Sequence, residues 1–206
     1  LEDNPSYLYF FGDEQNKTEY REGVFVGYRY YDKKNMDVLF PFGYGLSYTT
    51  FEYSNLTLDK SKMKDTDTLT VSVNVRNTGK VKGKEVVQLY VGMPESHTIR
   101  PVKELRGFEK VELEPGEEKT VTFTLAKRAF AYYRTDISDW YVESGDYTIM
   151  AAKSSRDIAC TATVNVTSTT QIKRVYTMNS TIEEIMESPV GREILGKMMA
   201  QNPLAR

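Results

Sequence analysis

The chain has 206 residues, of which 40% are hydrophobic and 27% are charged, as is typical of a globular protein with a core of its own. Its formal net charge of −2 excludes the clustered positive charge that nucleic acids and anionic membranes require of a partner. No apolar run approaches the ~18 residues of a membrane-spanning helix. One cysteine and one histidine exclude an internal disulfide and a His/Cys zinc site, and we expect no metal and no cofactor.

Residues 1–53 are dense in aromatic side chains but lack a clear helical or strand period. They hold nine of the 15 tyrosines and six of the 9 phenylalanines, broken up by glycines such as Gly43 and Gly45. Aromatic groups at this density need a surface to bury against, and a short glycine-rich stretch does not supply one alone. We therefore expect residues 1–53 to pack on the next domain and to be the end of a domain that lies mostly elsewhere.

Residues 54–166 alternate between apolar and polar side chains, as half-buried strands do. The clearest run is residues 69–76, where leucine and valines occupy every second position. Together with a strand over Phe51–Leu58, the pattern predicts about seven short strands separated by turns, and hence an antiparallel β-sandwich of the fibronectin type III or immunoglobulin type. Cys160 has inward parity and is interpreted as a small core residue rather than a nucleophile.

Residues 167–206 change to a helical period. Ser180-Thr181-Ile182-Glu183 has the form of a capping box, and Ser188-Pro189 places a cap before a proline at the first helical position. An apolar stripe follows, formed by Val190, Ile194, Leu195, Met198 and Met199. We expect a short helical extension here. Because the chain begins at Leu1 and stops at Arg206 without an evident boundary, we expect truncation at both ends, and no cellular location can be assigned.

Two runs in the first zone resemble glycoside hydrolase family 3, at the junction between that family's α/β-sandwich domain and its C-terminal fibronectin-like domain. They are residues 20–32, YREGVFVGYRYYD, and residues 39–51, LFPFGYGLSYTTF. The resemblance continues through residues 75–79, 83–91, 100–108, 113–117 and 140–147, and it reaches the tail at residues 179–182. It covers essentially the whole chain. The resemblance implies three parts: 1–53, the end of the α/β-sandwich domain and the junction; 54–166, the fibronectin type III-like β-sandwich; and 167–206, a helical extension.

The members that this chain resembles are retaining, exo-acting β-glycosidases, commonly β-glucosidases or β-xylosidases. Such enzymes use a nucleophile and a general acid/base as two carboxyl groups ~5 Å apart. The resemblance places the nucleophile in a TIM-barrel domain and the acid/base in the α/β-sandwich domain, both outside this chain. We therefore expect no catalytic residue here. The expected partners are the missing TIM-barrel and α/β-sandwich domains, and the substrate expected for the whole enzyme is a β-linked glucoside or xyloside.

One tripeptide imitates the family's nucleophile motif. Ser138-Asp139-Trp140 has the same residues, but it leads into Tyr141 and a fibronectin-like pattern rather than a barrel strand end. Asp136 and Asp139 are interpreted as turn formers whose side chains bond to nearby backbone amides. Asp65 and Asp67 are interpreted as polar loop residues that offer too few ligands for calcium.

The loop Met93–Val102 is the candidate for a contribution to the rim of the active site, with His97 and Arg100 as candidate substrate contacts. The glycines between the aromatic residues 42–48 are interpreted as allowing tight packing at a domain junction. The alternative for the whole chain is an autonomous carbohydrate-binding or adhesion module, since aromatic faces also stack on sugars.

Overall fold

The computed structural model describes residues 2–10, 12, 17–172, 177, 179–186 and 188–201. The chain divides into two compact units, Leu1–Thr170 and Gln171–Arg206. Within the described residues, the first unit contains ten strands and short helical turns, and the second contains two helices. In the described part of the chain, no helix is long and apolar enough to cross a membrane.

The strands of the first unit follow one another with short connections. They are β1 (Phe51–Leu58), β2 (Lys62–Lys64), β3 (Leu69–Asn77), β4 (Gly83–Gly92), β5 (Glu104–Leu113), β6 (Glu118–Leu125), β7 (Tyr132–Arg134), β8 (Asp139–Tyr141), β9 (Gly145–Ala152) and β10 (Ile158–Thr167). A six-residue helix, α1 (Tyr28–Lys33), precedes them, and 3-10 turns lie at Tyr7–Tyr9 and Lys127–Ala129.

Two sheets form the predicted β-sandwich. One has the strand order β1-β3-β6 and the other β2-β10-β9-β4-β5, while β7 and β8 form a separate hairpin. All pairings are antiparallel except that of β2 with β10, which is parallel. All seven predicted strands are present. The sequence did not indicate β2, β7 and β8, because three residues are too few to show a period.

The core lies between the two sheets and follows the predicted alternation. Leu69, Val71, Val73 and Val75 of β3 are fully buried, while the intervening side chains face outward. Strand β4 departs from the alternation, because its last six residues, Val87–Gly92, are all buried. Both faces of this half of β4 are therefore covered: one by the core and the other by the aromatic residues that precede β1.

Asn77 closes one end of the sandwich. Its Nδ2 donates to Val81 O at 2.9 Å and to Leu113 O at 3.0 Å. Its Oδ1 accepts from Thr49 Oγ1 at 2.6 Å and from Gly79 N at 3.0 Å. The amide is fully buried, and its two donor hydrogens and both oxygen lone pairs are used.

Asp65 corrects one interpretation made from the sequence. It was expected to be a polar loop residue, but it is completely buried. Its Oδ1 accepts a hydrogen bond from Thr169 N at 2.8 Å, and Lys127 Nζ lies 3.7 Å from Oδ2. Asp65 thus holds the chain just after β10. Cys160 packs against the core, as expected, but is only half-buried.

The second unit contains α2 (Ile182–Met186) and α3 (Pro189–Gln201). Ser188 caps α3, accepting from Gly191 N at 2.8 Å, with Pro189 at the first helical position as predicted. The capping box lies one residue later than predicted: Thr181 and Glu184 exchange hydrogen bonds of 2.9 and 3.2 Å. Val190, Ile194 and Met198 of the predicted apolar stripe are exposed, and the side chain of Met199 lies outside the described residues.

Candidate functional site

The Ser138-Asp139-Trp140 tripeptide lies at the turn and second strand of the β7–β8 hairpin. Asp139 opens β8, is exposed, and accepts a hydrogen bond from Trp140 N at 2.7 Å. Asp136 lies in the turn and pairs with Arg134 at 2.6 Å, and this guanidinium lowers the pKa of the Asp136 carboxyl. Both aspartates therefore use their oxygens locally.

No metal centre is built from the side chains that the structure describes. Among those residues, no group of three His, Cys, Asp or Glu side chains lies close enough to hold a metal ion.

The loop Met93–Val102 is fastened to the sandwich by Glu143, whose side chain is 10% exposed. Glu143 Oε2 accepts from Ser96 Oγ at 2.7 Å, and Oε1 accepts from the backbone nitrogen of His97 at 2.9 Å. The His97 Nδ1 atom lies 2.5 Å from the same Oε1. Burial raises the pKa of the Glu143 carboxyl, but the hydrogen bonds from His97 and Ser96 outweigh it, so the pKa lies below its ordinary value. Glu143 therefore holds the loop as a carboxylate.

The two candidate rim residues differ in exposure. The His97 ring is 89% exposed, at the tip of the loop. The Arg100 side chain is only 9% exposed, and its Nη2 donates to Phe130 O at 3.1 Å. Its guanidinium also lies 5.2 Å from the centre of the Tyr132 ring. A substrate contact by either residue stays a prediction.

The N-terminal segment, residues 17–50, is fixed to the outer face of the β4-containing sheet by α1. Tyr28 meets Tyr90 of β4 edge-on, with ring centres 6.0 Å apart, and its hydroxyl accepts from Leu105 N at 2.8 Å. Asp32, 6% exposed, lies 2.9 Å from Lys103 Nζ and 3.0 Å from Arg156 Nε. One buried carboxylate thus joins α1 to the loops before β5 and before β10.

The glycine-rich turn of this segment is fixed by Gln88, which lies on β4. Gln88 Nε2 donates to Gly43 O at 3.0 Å and to Lys153 O at 2.7 Å, and Tyr90 Oη donates to Gln88 Oε1 at 2.6 Å. Phe42, beside this glycine, stacks on Tyr28 at 4.7 Å, and its carbonyl accepts from a backbone nitrogen of the β9–β10 loop. Of the aromatic residues expected to pack tightly around these glycines, Phe42 packs on Tyr28 in this way, whereas Tyr44 and Tyr48 are half and fully exposed.

Six large apolar side chains of this segment are left half or fully exposed by the described residues. Leu39, Leu46 and Tyr48 are 88%, 90% and 101% exposed, and Phe40, Phe42 and Tyr44 are about half exposed or more. We call these six residues the apolar face. They lie within ten positions of a stretch whose backbone is tied to β4 and to the loop after β9. The segment thus presents large apolar side chains from a fixed backbone.

Sequence reasoning missed Gln88 and Glu143, which position the two candidate regions. Gln88 alternates with the inward valines of β4 and so resembled a solvent-facing residue. Tyr90 could have indicated that Gln88 is buried. It lies two positions after Gln88 and therefore on the same side of β4, and a large aromatic residue there favours a strand whose outer side is also covered. Glu143 gave no local signal, since its partners lie more than forty residues away.

The family model for the fibronectin type III-like domain matches residues 85–155, which include most of β4, all of β5 to β9 and the loop Met93–Val102. The chain is 55% identical over 201 residues to thermostable beta-glucosidase B of Acetivibrio thermocellus, covering 98% of this chain and 26% of that protein. The solved GH3 beta-glucosidase of Bifidobacterium adolescentis has a TM-score of 0.83 at 41% identity, over 94% of this chain and 28% of that one. The chain belongs to the C-terminal, fibronectin type III-like region of glycoside hydrolase family 3.

Two further relatives match most of this chain. The exo-alpha-(1->6)-L-arabinopyranosidase of Bifidobacterium breve is 44% identical over 97% of this chain and 26% of its own length. The beta-glucosidase of Kluyveromyces marxianus, solved in complex with glucose, has a TM-score of 0.73 at 46% identity, over 81% of this chain and 20% of that one. The chain thus spans about a quarter of the length of the relatives it matches. The resemblance read from residues 20–51 is confirmed.

Proposed function

We propose that this chain is the non-catalytic C-terminal segment of a retaining, exo-acting β-glycosidase of the β-glucosidase type, and that it braces the catalytic domains of the same enzyme. The observation that carries the proposal is the apolar face of residues 39–48. Exposed apolar patches of this kind on a fixed backbone mark surfaces that another protein surface covers. In this proposal the TIM-barrel and α/β-sandwich domains cover it.

The arrangement of the carboxylates favours a structural role for the chain over a catalytic one. A retaining glycosidase needs two carboxyl groups ~5 Å apart beside a sugar-sized cleft. Asp136 and Asp139, beside the nucleophile-like tripeptide, are exposed and bonded to near neighbours. Both side-chain oxygens of Glu143 accept hydrogen bonds from the loop Met93–Val102. Gln88 and Asp32 fix the N-terminal segment to the sandwich at two separate points.

The proposed substrate of the whole enzyme is a β-linked glucoside or xyloside. Two relatives that align with nearly all of this chain have different printed activities, a beta-glucosidase and an exo-alpha-(1->6)-L-arabinopyranosidase. Similarity over this region therefore does not select the sugar. We place that choice in the domains that carry the catalytic carboxyls.

In this proposal the division of the chain is 1–53 for the end of the α/β-sandwich domain and the junction, 54–166 for the fibronectin type III-like sandwich, and 167–206 for the helical extension. The loop Met93–Val102 is the part that reaches the active-site rim. His97 carries the contact, because its ring is exposed while its backbone is held by Glu143. Arg100 serves the rim chiefly by holding the loop against Phe130.

Two experiments test the proposal. The purified 206-residue chain should not hydrolyse an aryl β-glucoside, whereas the full-length enzyme should; turnover by the chain alone would overturn the non-catalytic assignment. In the full-length enzyme, the double variant Leu46→Ser/Tyr48→Ser should increase amide hydrogen exchange in residues 39–48 and in the preceding domains. Val81→Ser, at an exposed valine in the β3–β4 loop, is the matched control. Unchanged exchange in the double variant would contradict the brace.

A carbohydrate-binding module is the second candidate, favoured by exposed Tyr44 beside a polar cavity that also contains Glu85 and Asp157. Against it, Phe40 and Tyr44 stack on each other with ring centres 5.5 Å apart, so each blocks a face that a sugar would use. Titration calorimetry of the chain with cello- and xylo-oligosaccharides separates the two: saturable heat supports the module, and no heat supports the brace.

A further inference from the structure

Three arginines surround a single carboxylate where α1 meets the start of β5. Arg106 Nη2 donates to Glu104 Oε2 at 2.7 Å, Arg29 Nη2 lies 3.7 Å from Oε1, and Arg100 Nη2 lies 3.8 Å from Oε2. Glu104 itself is 14% exposed. Among the described residues it is the one carboxylate within 4 Å of these guanidinium groups, so the cluster has an excess of two positive charges.

The donors of this cluster are not all used. The Arg100 side chain is only 9% exposed, yet its Nη1 atom donates to no acceptor among the residues that the structure describes. The same holds for the Nε atoms of Arg29 and Arg106. Burial lowers the pKa of Arg106; Glu104 raises it, and the neighbouring Arg100 and Arg29 lower it further. A buried charge normally has a partner, because burial removes its hydration and an unpaired charge gains nothing in return.

A pocket of about 410 Å³ opens onto these groups. Its walls include Tyr132 and Trp140, and Arg128 stacks over the Trp140 ring at 3.1 Å from the ring centre, adding a fourth guanidinium. The rim is apolar: Ile99 is 78% exposed and Val24 52%. Arginine and aromatic side chains beside exposed apolar residues are the composition of a protein–protein hot spot.

We propose that this arginine pocket, lined by Arg29, Arg100, Arg106 and Arg128, receives a carboxylate side chain from the catalytic domains of the same enzyme. The planar fork of a guanidinium matches a carboxylate in a bidentate pair, and the excess charge requires an anion. The apolar rim favours a carboxylate that arrives on a protein surface over a free anion, because the rim is buried at the same time. The inference deepens the proposed brace and rests on it.

The partner carboxylate can be identified by zero-length coupling. In the full-length enzyme, Arg29→Lys supplies an amine that carbodiimide joins to a nearby carboxyl, and mass spectrometry of the digest locates the new amide. The expected result is a link to an Asp or Glu outside residues 1–206. The control is Arg76→Lys, on the exposed face of β3, which should link only to neighbours such as Glu52 and Glu118. Links from position 29 to Glu104 alone would overturn the inference.

A second measurement separates docking from a purely internal role. In the isolated chain, Arg29→Gln should leave the unfolding temperature unchanged or raise it, because it reduces the excess positive charge. In the full-length enzyme the same variant should lower the unfolding temperature. A decrease in both proteins would show a structural role and overturn the inference. Stabilisation of the full-length enzyme by inorganic phosphate that Arg29→Gln abolishes would assign the pocket to a free anion instead.

The two proposals fail in different ways. If the Leu46→Ser/Tyr48→Ser variant loosens the full-length enzyme while position 29 links only to Glu104, the brace stands and the arginine pocket is not part of it. If the double variant has no effect while position 29 links to a carboxyl of the preceding domains, the contact exists but the apolar face does not carry it.

Discussion

Gln88 and Gly43 are in such close contact that a side chain at position 43 would have to displace the glutamine amide. The Gly43 carbonyl accepts from Gln88 Nε2 at 3.0 Å, and a Cβ added to Gly43 would lie 2.0 Å from Gln88 Oε1. The backbone at Gly43 also has a φ of +79°, which side chains with a Cβ rarely adopt. The junction thus depends on both the space and the conformation that glycine provides.

Gly43→Ala should destabilise the 206-residue chain by about 1–3 kcal/mol, because it adds backbone strain and displaces the Gln88 amide. Urea unfolding followed by tryptophan and tyrosine fluorescence measures the change. Gly45→Ala is the matched control: nothing lies within 4 Å of its added Cβ, so its effect should stay below about 0.5 kcal/mol. Equal effects of the two variants would contradict the role given to Gln88.

Asp32→Asn should cost about 2–4 kcal/mol of unfolding free energy, because Lys103 and Arg156 lose their shared carboxylate in a mostly buried place. The loss should also appear as faster hydrogen exchange in α1. Asp37→Asn, at an exposed aspartate a few residues later, should change the unfolding free energy by less than about 0.5 kcal/mol. A small effect of both changes would mean that α1 is held by its aromatic contacts alone.

Glu143 should make stability fall at acid pH. Its folded pKa lies below its ordinary value, so the unfolded chain takes up this proton first. The stabilisation is complete above the unfolded value of about 4.3 and is lost as the pH falls through the lower folded pKa. Urea midpoints of the chain and of Glu143→Gln, measured from pH 6 down to pH 3, should therefore converge on acidification. Parallel curves would contradict this prediction.

Glu85 should make stability fall as the pH rises, which is the opposite of the effect of Glu143. Burial raises the pKa of its carboxyl, against the hydrogen bond from Tyr53 Oη at 2.9 Å and the charge of Lys153, both of which lower it. Stability is therefore lost as the pH rises from the unfolded value of about 4.3 through the higher folded pKa. Glu85→Gln should raise the urea midpoint at pH 7 and lose this advantage near pH 4. Glu52→Gln, exposed on β1, should show no such pH-dependent gain.

Asp139→Asn in the full-length enzyme should leave turnover close to that of the unaltered protein. The Asp139 side chain accepts from the adjacent Trp140 nitrogen, and an asparagine oxygen can accept the same bond. Initial rates on an aryl β-glucoside, with circular dichroism as the check on folding, test this. A fall in turnover by orders of magnitude in a folded variant would assign a catalytic role to Asp139.

The sandwich could be predicted because each long strand carries its own signal. In β3 every second residue is buried, and this period is readable from the sequence alone. The first residue of α2 could not be predicted, for a local reason. Ser180 and Thr181 are each followed by a glutamate three positions later, so the sequence allows two positions for one capping box. The structure selects Thr181 and Glu184.

The contacts that join distant segments could not be predicted. Asp65 and Asp67 flank the same threonine and look alike in sequence, yet only Asp65 is fully buried, because Thr169 and Lys127 approach it from far along the chain. The same applies to the arginine pocket, which brings α1 beside β5. Sequence reasoning singled out Arg100 for its loop but gave no indication of Arg29 or Glu104 as its neighbours.

The environment of Asn77 also bears on how this domain ages chemically. Asparagine loses its amide when the following backbone nitrogen can swing round to attack the side-chain carbonyl, and this reaction limits the lifetime of many proteins at high temperature. At Asn77 that rotation would require four hydrogen bonds to break inside a closed core. Conversion of Asn77 to aspartate would remove two of these hydrogen bonds, and the same four bonds hold the residue in a geometry that resists the conversion.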